Sequence, residues 1–295
     1  MVCDELMKFL KPGYTIFLKQ QKITNMKKAV LVGINIYPDP DNELKGCIND
    51  ITDMADFITK KKSFKMPDVR LLTDDRATKE NITDRLKWLV TGAKSGDQLL
   101  FHYSGHGAQM VTRAKTGEPD KLDEVICPYD FDWTDETALR DKEFAKIFSK
   151  IPKGVQFIWI SDSCHSADLS RGIKKPGMAI FKARTMIPPP DIAWRNRSID
   201  ATPLKLRELA KTAKMRNLAL ISGCKSEQES ADAVFNKRAN GALTYFLLKS
   251  LTTTSGKKDK LNTLVANINK SLKNAGYEQE PQVEGSKELI AKPFF

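Results

Sequence analysis

A mostly parallel α/β sheet covered by helices on both faces is the fold that this 295-residue sequence predicts. Three observations carry the expectation. Apolar runs of strand length recur at 29–34, 98–103 and 155–160, segments of helical periodicity lie between them, and small or polar residues end each run. Runs that are largely apolar, rather than alternating, belong to strands buried on both sides. Strands joined through helices run parallel, which places the helices as covering layers.

The elements follow in order. Ala29-Val30-Leu31-Val32-Gly33-Ile34 is the first strand, with Lys27-Lys28 at its solvent end. After a loop carrying Pro38 and Pro40, Ile48, Ile51, Met54, Ala55 and Ile58 recur at helical spacing from Cys47 to about Lys61. Asp68-Val69-Arg70-Leu71-Leu72 forms the next strand. Thr78 then caps a helix whose apolar positions are Ile82, Leu86, Trp88 and Leu89, and Gly92 and Gly96 stop it. The strand at 98–103 comes next, followed by an acidic loop-like stretch at 117–135 that holds the short apolar piece Val125-Ile126-Cys127. A helix at 142–149 leads into the strand at 155–160. Residues 169–214 break the pattern: Pro188-Pro189-Pro190 and scattered basic residues describe a long exposed connection. Regular structure resumes with a strand at 217–222, helices at 241–251 and 261–275, and a last short strand at 289–291.

Composition narrows the function classes. A hydrophobic content of 41% supplies a real core, and no apolar stretch reaches the roughly 18 residues that span a bilayer. Asp4, Glu5, Lys8 and Lys11 interrupt the amino terminus, so it makes a poor secretory signal. Residues 1–25 precede a second methionine, Met26, and read as an extension or pro-segment. The five cysteines are odd in number and lack CxxC spacing, which argues against a disulfide framework and a zinc knuckle and suits a reducing cytoplasm. The net charge of +11 is spread along the chain with no basic arm or aromatic stacking motif, so nucleic acid is not the expected partner.

Two strand ends carry complementary chemistry. The run at 98–103 breaks into Ser104-Gly105-His106-Gly107-Ala108, and the run at 155–160 breaks into Ser161-Asp162-Ser163-Cys164-His165-Ser166. Ligands bind at the carboxyl ends of strands in an open parallel sheet, so His106 and Cys164 face one cleft. A cysteine is mostly thiol at neutral pH, and an adjacent imidazole can take its proton. Each residue alone has a plain structural explanation, as a small core side chain or a turn residue. Together they describe a nucleophile with its base. His165 follows Cys164 directly and points to the opposite face, so it reads as structural.

The same segments resemble the caspase-like cysteine peptidases, and among them the metacaspases. Tyr103-Ser104-Gly105-His106-Gly107 is similar to the family's histidine motif and Asp162-Ser163-Cys164-His165-Ser166 to its cysteine motif. Leu44-Lys45-Gly46-Cys47-Ile48-Asn49-Asp50, Ile221-Ser222-Gly223-Cys224, Ser230-Ala231-Asp232-Ala233, Gly241-Ala242-Leu243-Thr244-Tyr245 and Gln279-Glu280-Pro281-Gln282 continue the match in the same order. The resemblance implies one peptidase domain over 26–295, with a large-subunit-like part at 26–168, the basic connection at 169–214 and a small-subunit-like part at 215–295. It also implies a thioester acyl-enzyme at Cys164, an oxyanion hole from the N–H groups of Gly107 and Cys164, and an acidic pocket from Cys47, Asp50, Ser104 and Asp162.

That pocket makes physical sense. On a continuing strand Asp162 and Cys164 lie on one face about 7 Å apart, so a carboxylate stands beside the nucleophile. Two carboxylates in a pocket accept Arg or Lys and repel an acidic side chain. Expected partners are therefore proteins or peptides with Arg or Lys at the cleaved position, acted on by a monomer. No cofactor is needed for the chemistry. The resemblance implies calcium as an activator, with Asp123, Glu124 and Asp141 as ligands; yet Lys142 stands where a second acid of a pair is required, and the acid after the cysteine motif is displaced to Asp168. Basic residues of the connection, among them Arg171, Lys174, Lys175, Lys182 and Arg184, are expected sites of self-cleavage. Two other readings remain: a serine hydrolase using Ser104 with His106, and a catalytically silent caspase-like scaffold that binds basic peptides.

Overall fold

In a computed structural model, residues 25–112, 121–165, 182–197, 217–225, 228–253 and 255–295 are described. The three central runs become β1 (Lys27–Gly33), β3 (Gln98–Ser104) and β7 (Gln156–Asp162). With β2 (Val69–Thr73), β9 (Leu218–Ser222) and β12 (Gln282–Gly285) they form a six-stranded sheet in the order β12-β9-β7-β3-β1-β2. Only β12 runs antiparallel to its neighbour. The fold is the predicted α/β class.

Strand periodicity of two sorts the core into two layers. Val30, Val32, Phe101 and Trp159 face α2 (Lys79–Val90) and α3 (Asp141–Phe148), where Phe144 sits 4.5 Å from the Trp159 ring. Ala29, Leu31, Leu100 and Ile160 face α1 (Cys47–Lys61), α5 (Ala242–Thr252) and α6 (Leu261–Asn274). As predicted, the Thr78 side chain caps α2 by accepting from Asn81 N at 3.3 Å.

Two small sheets flank the carboxyl edge of the large one. β4 (Gly107–Thr112), β5 (Lys121–Ile126) and β6 (Leu139–Arg140) form one, so the apolar piece within the acidic stretch is a hairpin strand. β8 (Lys182–Ala183), β10 (Ala231–Phe235) and β11 (Arg238–Gly241) form the other.

Two expectations need correction. Residues 289–291 are not a strand: the Ser286 hydroxyl accepts from Leu289 N and starts the short helix α7 (Lys287–Ile290), while the edge strand is β12. Nor is the connection at 169–214 wholly exposed. Its described part pairs as β8, forms the helix α4 (Pro190–Arg197), and buries Arg184 completely, because that side chain meets carboxylates rather than water. Residues 1–24 and the sites Arg171, Lys174 and Lys175 lie outside the described residues. No described helix is long and apolar enough to cross a membrane.

Candidate active site

Register sets the geometry. Ser104 of β3 pairs with Asp162 of β7, so His106 and Cys164 each follow by two residues from the same rung. The backbone N–H groups of Gly107 and Cys164 then converge on one atom, the carbonyl oxygen of Arg184, each at 3.0 Å. That separation is what a pair of oxyanion donors requires. Gly107 has no alternative here, since a Cβ at that position would stand 2.4 Å from the Cys164 carbonyl oxygen.

The His106 ring is held from behind. Its Nε2 lies 2.8 Å from the carbonyl oxygen of Asn42, so Nε2 carries the proton and Nδ1 the lone pair. Nδ1 is buried and without a partner. Burial lowers the pKa of His106 to about 4, against a weaker opposing effect of the Asn42 carbonyl, so the ring is neutral near pH 7. Tyr37 packs on the ring with centroids 4.9 Å apart, and its hydroxyl accepts from His106 N. The Cys164 thiol donates to the Gln228 carbonyl at 2.7 Å and lies 3.6 Å from the Cys224 sulfur.

The residues around Arg184 run through the cleft as an extended strand. Ala183 pairs with Ala231, Arg184 N donates to Ser230 O at 3.0 Å, and Met186 N donates to Gly107 O at 2.8 Å. The Arg184 guanidinium enters a fully buried pocket. Nη1 donates to Ser104 Oγ at 2.7 Å and lies 3.3 Å from Asp162 Oδ1; Nη2 reaches Asp50 Oδ2 at 2.8 Å and Asp232 Oδ1 at 2.9 Å. Three carboxylates thus share one cation, in the forked geometry that suits arginine.

Each carboxylate is fixed by other donors. Asp162 accepts from Ser230 Oγ and from the N–H and hydroxyl of Thr244; Asp50 accepts from Asn240, Gly241 N and Ser104 Oγ; Asp232 accepts from Lys45 N and Gly46 N. Burial pushes the Asp50 carboxyl upward, and Arg184 pulls it back. Gly241 makes room for the guanidinium: a Cβ there would lie 2.3 Å from both Arg184 Nη1 and Asp162 Oδ2. Cys47 lines the pocket at the start of α1, its thiol pushed upward by burial.

The structure therefore brings together every residue expected in the pocket and adds two that sequence reasoning missed. Asp232 alternates with alanines in Ser230-Ala231-Asp232-Ala233, and an acid on an otherwise apolar strand was the available signal. Asn42 acts through its main chain, which leaves no trace in residue type. Asp50 lies in the first turn of α1, past the N-cap Gly46, so its carboxylate is directed to the pocket rather than spent on capping. The Ser104 reading fails, because its hydroxyl donates to Asp50 and accepts from Arg184 rather than meeting His106. His165 is structural, with Nδ1 3.0 Å from Val125 O.

Two of the three residues named for calcium, Asp123 and Glu124, are not placed to share one ion. Asp123 and Glu124 are neighbours on β5 and point to opposite faces, and Asp123 pairs with the buried Arg140 at 3.3 Å. Arg140 also holds Asp135 and Val111 O, so a guanidinium already neutralises this corner. Among the described residues no three His, Cys, Asp or Glu side chains converge as a metal site. The Asp141 side chain and Asp168 lie outside that description.

Known proteins are similar to this chain over most of its length. The family model described as "Metacaspase, peptidase C14 domain" matches residues 27–170. Metacaspase-1 of Meyerozyma guilliermondii is 33% identical, over 88% of this chain and 69% of that protein. Metacaspase-9 of Arabidopsis thaliana is 32% identical, over 90% of this chain and 95% of the other. Among solved structures, protein GSU0716 from Geobacter sulfurreducens superposes with a TM-score of 0.63 at 25% identity, covering 91% of this chain and 97% of that one.

Proposed function

Because the chain belongs to the metacaspase family of caspase-like cysteine endopeptidases, we propose that it cleaves peptide bonds after Arg or Lys through His106 and Cys164, and that its first substrate is its own Arg184–Thr185 bond. One observation carries this reading: the Arg184 carbonyl oxygen is bonded by Gly107 N and Cys164 N while the Arg184 guanidinium fills the acidic pocket. That is how a bound substrate lies against a peptidase, with the side chain selected and the carbonyl polarised.

The steps follow from these residues. The thiol leaves the Gln228 carbonyl and gives its proton to Nδ1 of His106; the resulting thiolate adds to the Arg184 carbonyl carbon. Negative charge on that oxygen is met by the two N–H groups already aimed at it. His106 then protonates the departing nitrogen of Thr185, and water releases the acyl group from sulfur, leaving a carboxylate at Arg184. Withdrawal of Arg184 opens the pocket to Arg and Lys of other proteins. Arg is favoured over Lys, since a single ammonium cannot span Asp162 on one side and Asp50 with Asp232 on the other.

Cys47 and Cys127 are buried thiols outside any disulfide, which supports a reducing, cytoplasmic setting. A silent scaffold would have no use for two N–H donors trained on a carbonyl. Fluorogenic peptides ending in Arg, Lys or Asp test the reading: release is expected in the order Arg, Lys, then none for Asp, and none with Cys164→Ala. Equal turnover of the Asp peptide, or undiminished turnover by Cys164→Ala, would contradict it.

A further inference from the structure

Two residues before Arg184, the side chain of Lys182 is also bound. Its ammonium lies 2.7 Å from the carbonyl oxygen of Glu43 and 2.5 Å from that of Asp41. Both belong to the 3-10 turn at Pro40–Asn42 and its cap. Such a turn spends its first carbonyls internally, with Asp39 O and Pro40 O accepting from Asn42 N and Glu43 N, and presents the later ones outward. The carbonyl between the two that hold Lys182 is that of Asn42, which fixes the His106 ring. A groove lined by Pro40, Glu43, Lys45, Asp232, Val234 and Ala239 surrounds the lysine.

From this arrangement we infer that the enzyme selects substrates with Lys or Arg two residues before the cleaved-after residue, and that binding of this second cation steadies the turn whose Asn42 carbonyl orients His106. The inference rests on the reading of Arg184 as the residue before the cleaved bond. Strand pairing supports the spacing: Lys182 is the register partner of Asp232, so a substrate strand on β10 carries its second cation to the same groove. Burial lowers the pKa of the Lys182 ammonium, and the attraction of Asp41, Glu43, Asp232 and Asp39 partly offsets that; the ammonium is also close enough to His106 to disfavour its protonated form. Asn42 is a positioning residue in this scheme, acting on the base through its main chain.

The test uses the full-length wild-type chain with acetyl-Lys-Ala-Arg, acetyl-norleucine-Ala-Arg and acetyl-Glu-Ala-Arg coumarin amides. Norleucine keeps the length of the side chain and removes the charge. The Lys peptide is expected to exceed the norleucine peptide by about tenfold in kcat/KM, with part of the gain in kcat, and the Glu peptide to fall below both. The kcat component separates steadying of His106 from simple binding. In the full-length chain, Lys182→Ala should slow self-cleavage by about the same factor. Lys and norleucine peptides cleaved within twofold of each other would overturn the inference and leave the Arg-cleaving reading intact; failure to cleave any of the three would overturn both.

Discussion

Arg184 and Arg140 are both buried guanidiniums paired with aspartates, and the main chain around them explains why they serve different ends. Arg140 caps α3, its N–H bonded to Glu143, and its partners Asp123 and Asp135 tie a hairpin to that helix. Its main chain belongs to β6, where it pairs with Val125, and neither Gly107 N nor Cys164 N donates to its carbonyl. Arg184 sits at the end of a two-residue strand, and its carbonyl meets Gly107 N and Cys164 N beside the thiol. Ion pairing alone therefore does not mark a substrate-like residue. What marks it is a carbonyl delivered to two convergent donors by the same chain that carries the cation.

The largest expected effect tests the Arg184 side of this comparison. Cys164→Ala should abolish both self-cleavage and peptide turnover, read by gel and by coumarin release. Next, Asp162→Asn removes a charge from the pocket while Thr244 and Ser230 can still hold the side chain, and kcat/KM for Arg peptides should fall by about 10²–10³. Gly241→Ala, which places a methyl 2.3 Å from both the guanidinium and Asp162 Oδ2, should cost Arg peptides about 10² and also lower the melting temperature of the uncleaved chain, whose own Arg184 fills the pocket.

Arg140→Met sharpens the other side. It leaves Asp123 buried beside an apolar side chain and should cost about 3 kcal/mol of stability in urea unfolding, with the Arg-over-Lys preference unchanged. A change of preference would place Arg140 in the substrate site after all. Because Arg140 already pairs with Asp123 and Asp135, chelation by EGTA is expected to leave the self-cleavage rate unchanged; restoration of a lost rate by added calcium would contradict that.

Acid sensitivity is the smallest of these effects. The neutral form of His106 is the base, and burial has lowered its pKa to about 4, so the base is retained until pH falls through that value. Self-cleavage followed from pH 7 to pH 4 should keep its rate to about pH 5, whereas an unperturbed histidine would lose half its base form near pH 6.5.

How much of this could be read in advance depends on where the information resides. β1, β3 and β7 are built on largely apolar runs, and the side-chain chemistry of His106, Cys164, Asp50 and Asp162 is written in residue type at strand and helix ends. The terminal strand was misplaced because Leu289 and Ile290 are apolar in either conformation, and the Ser286 cap decided between them. Asn42 was invisible because only its carbonyl acts. Arg184 was named among several basic residues, but the sequence could not single it out: its burial depends on three acids from three distant segments meeting through the sheet.

Intact-mass and amino-terminal analysis of wild-type protein during incubation under active conditions is the most direct test of the central claim. A carboxyl-terminal fragment beginning at Thr185, absent with Cys164→Ala, is the predicted result. Protein that remains one chain while it cleaves Arg peptides, or that is cut elsewhere with Arg184–Thr185 intact, would contradict it.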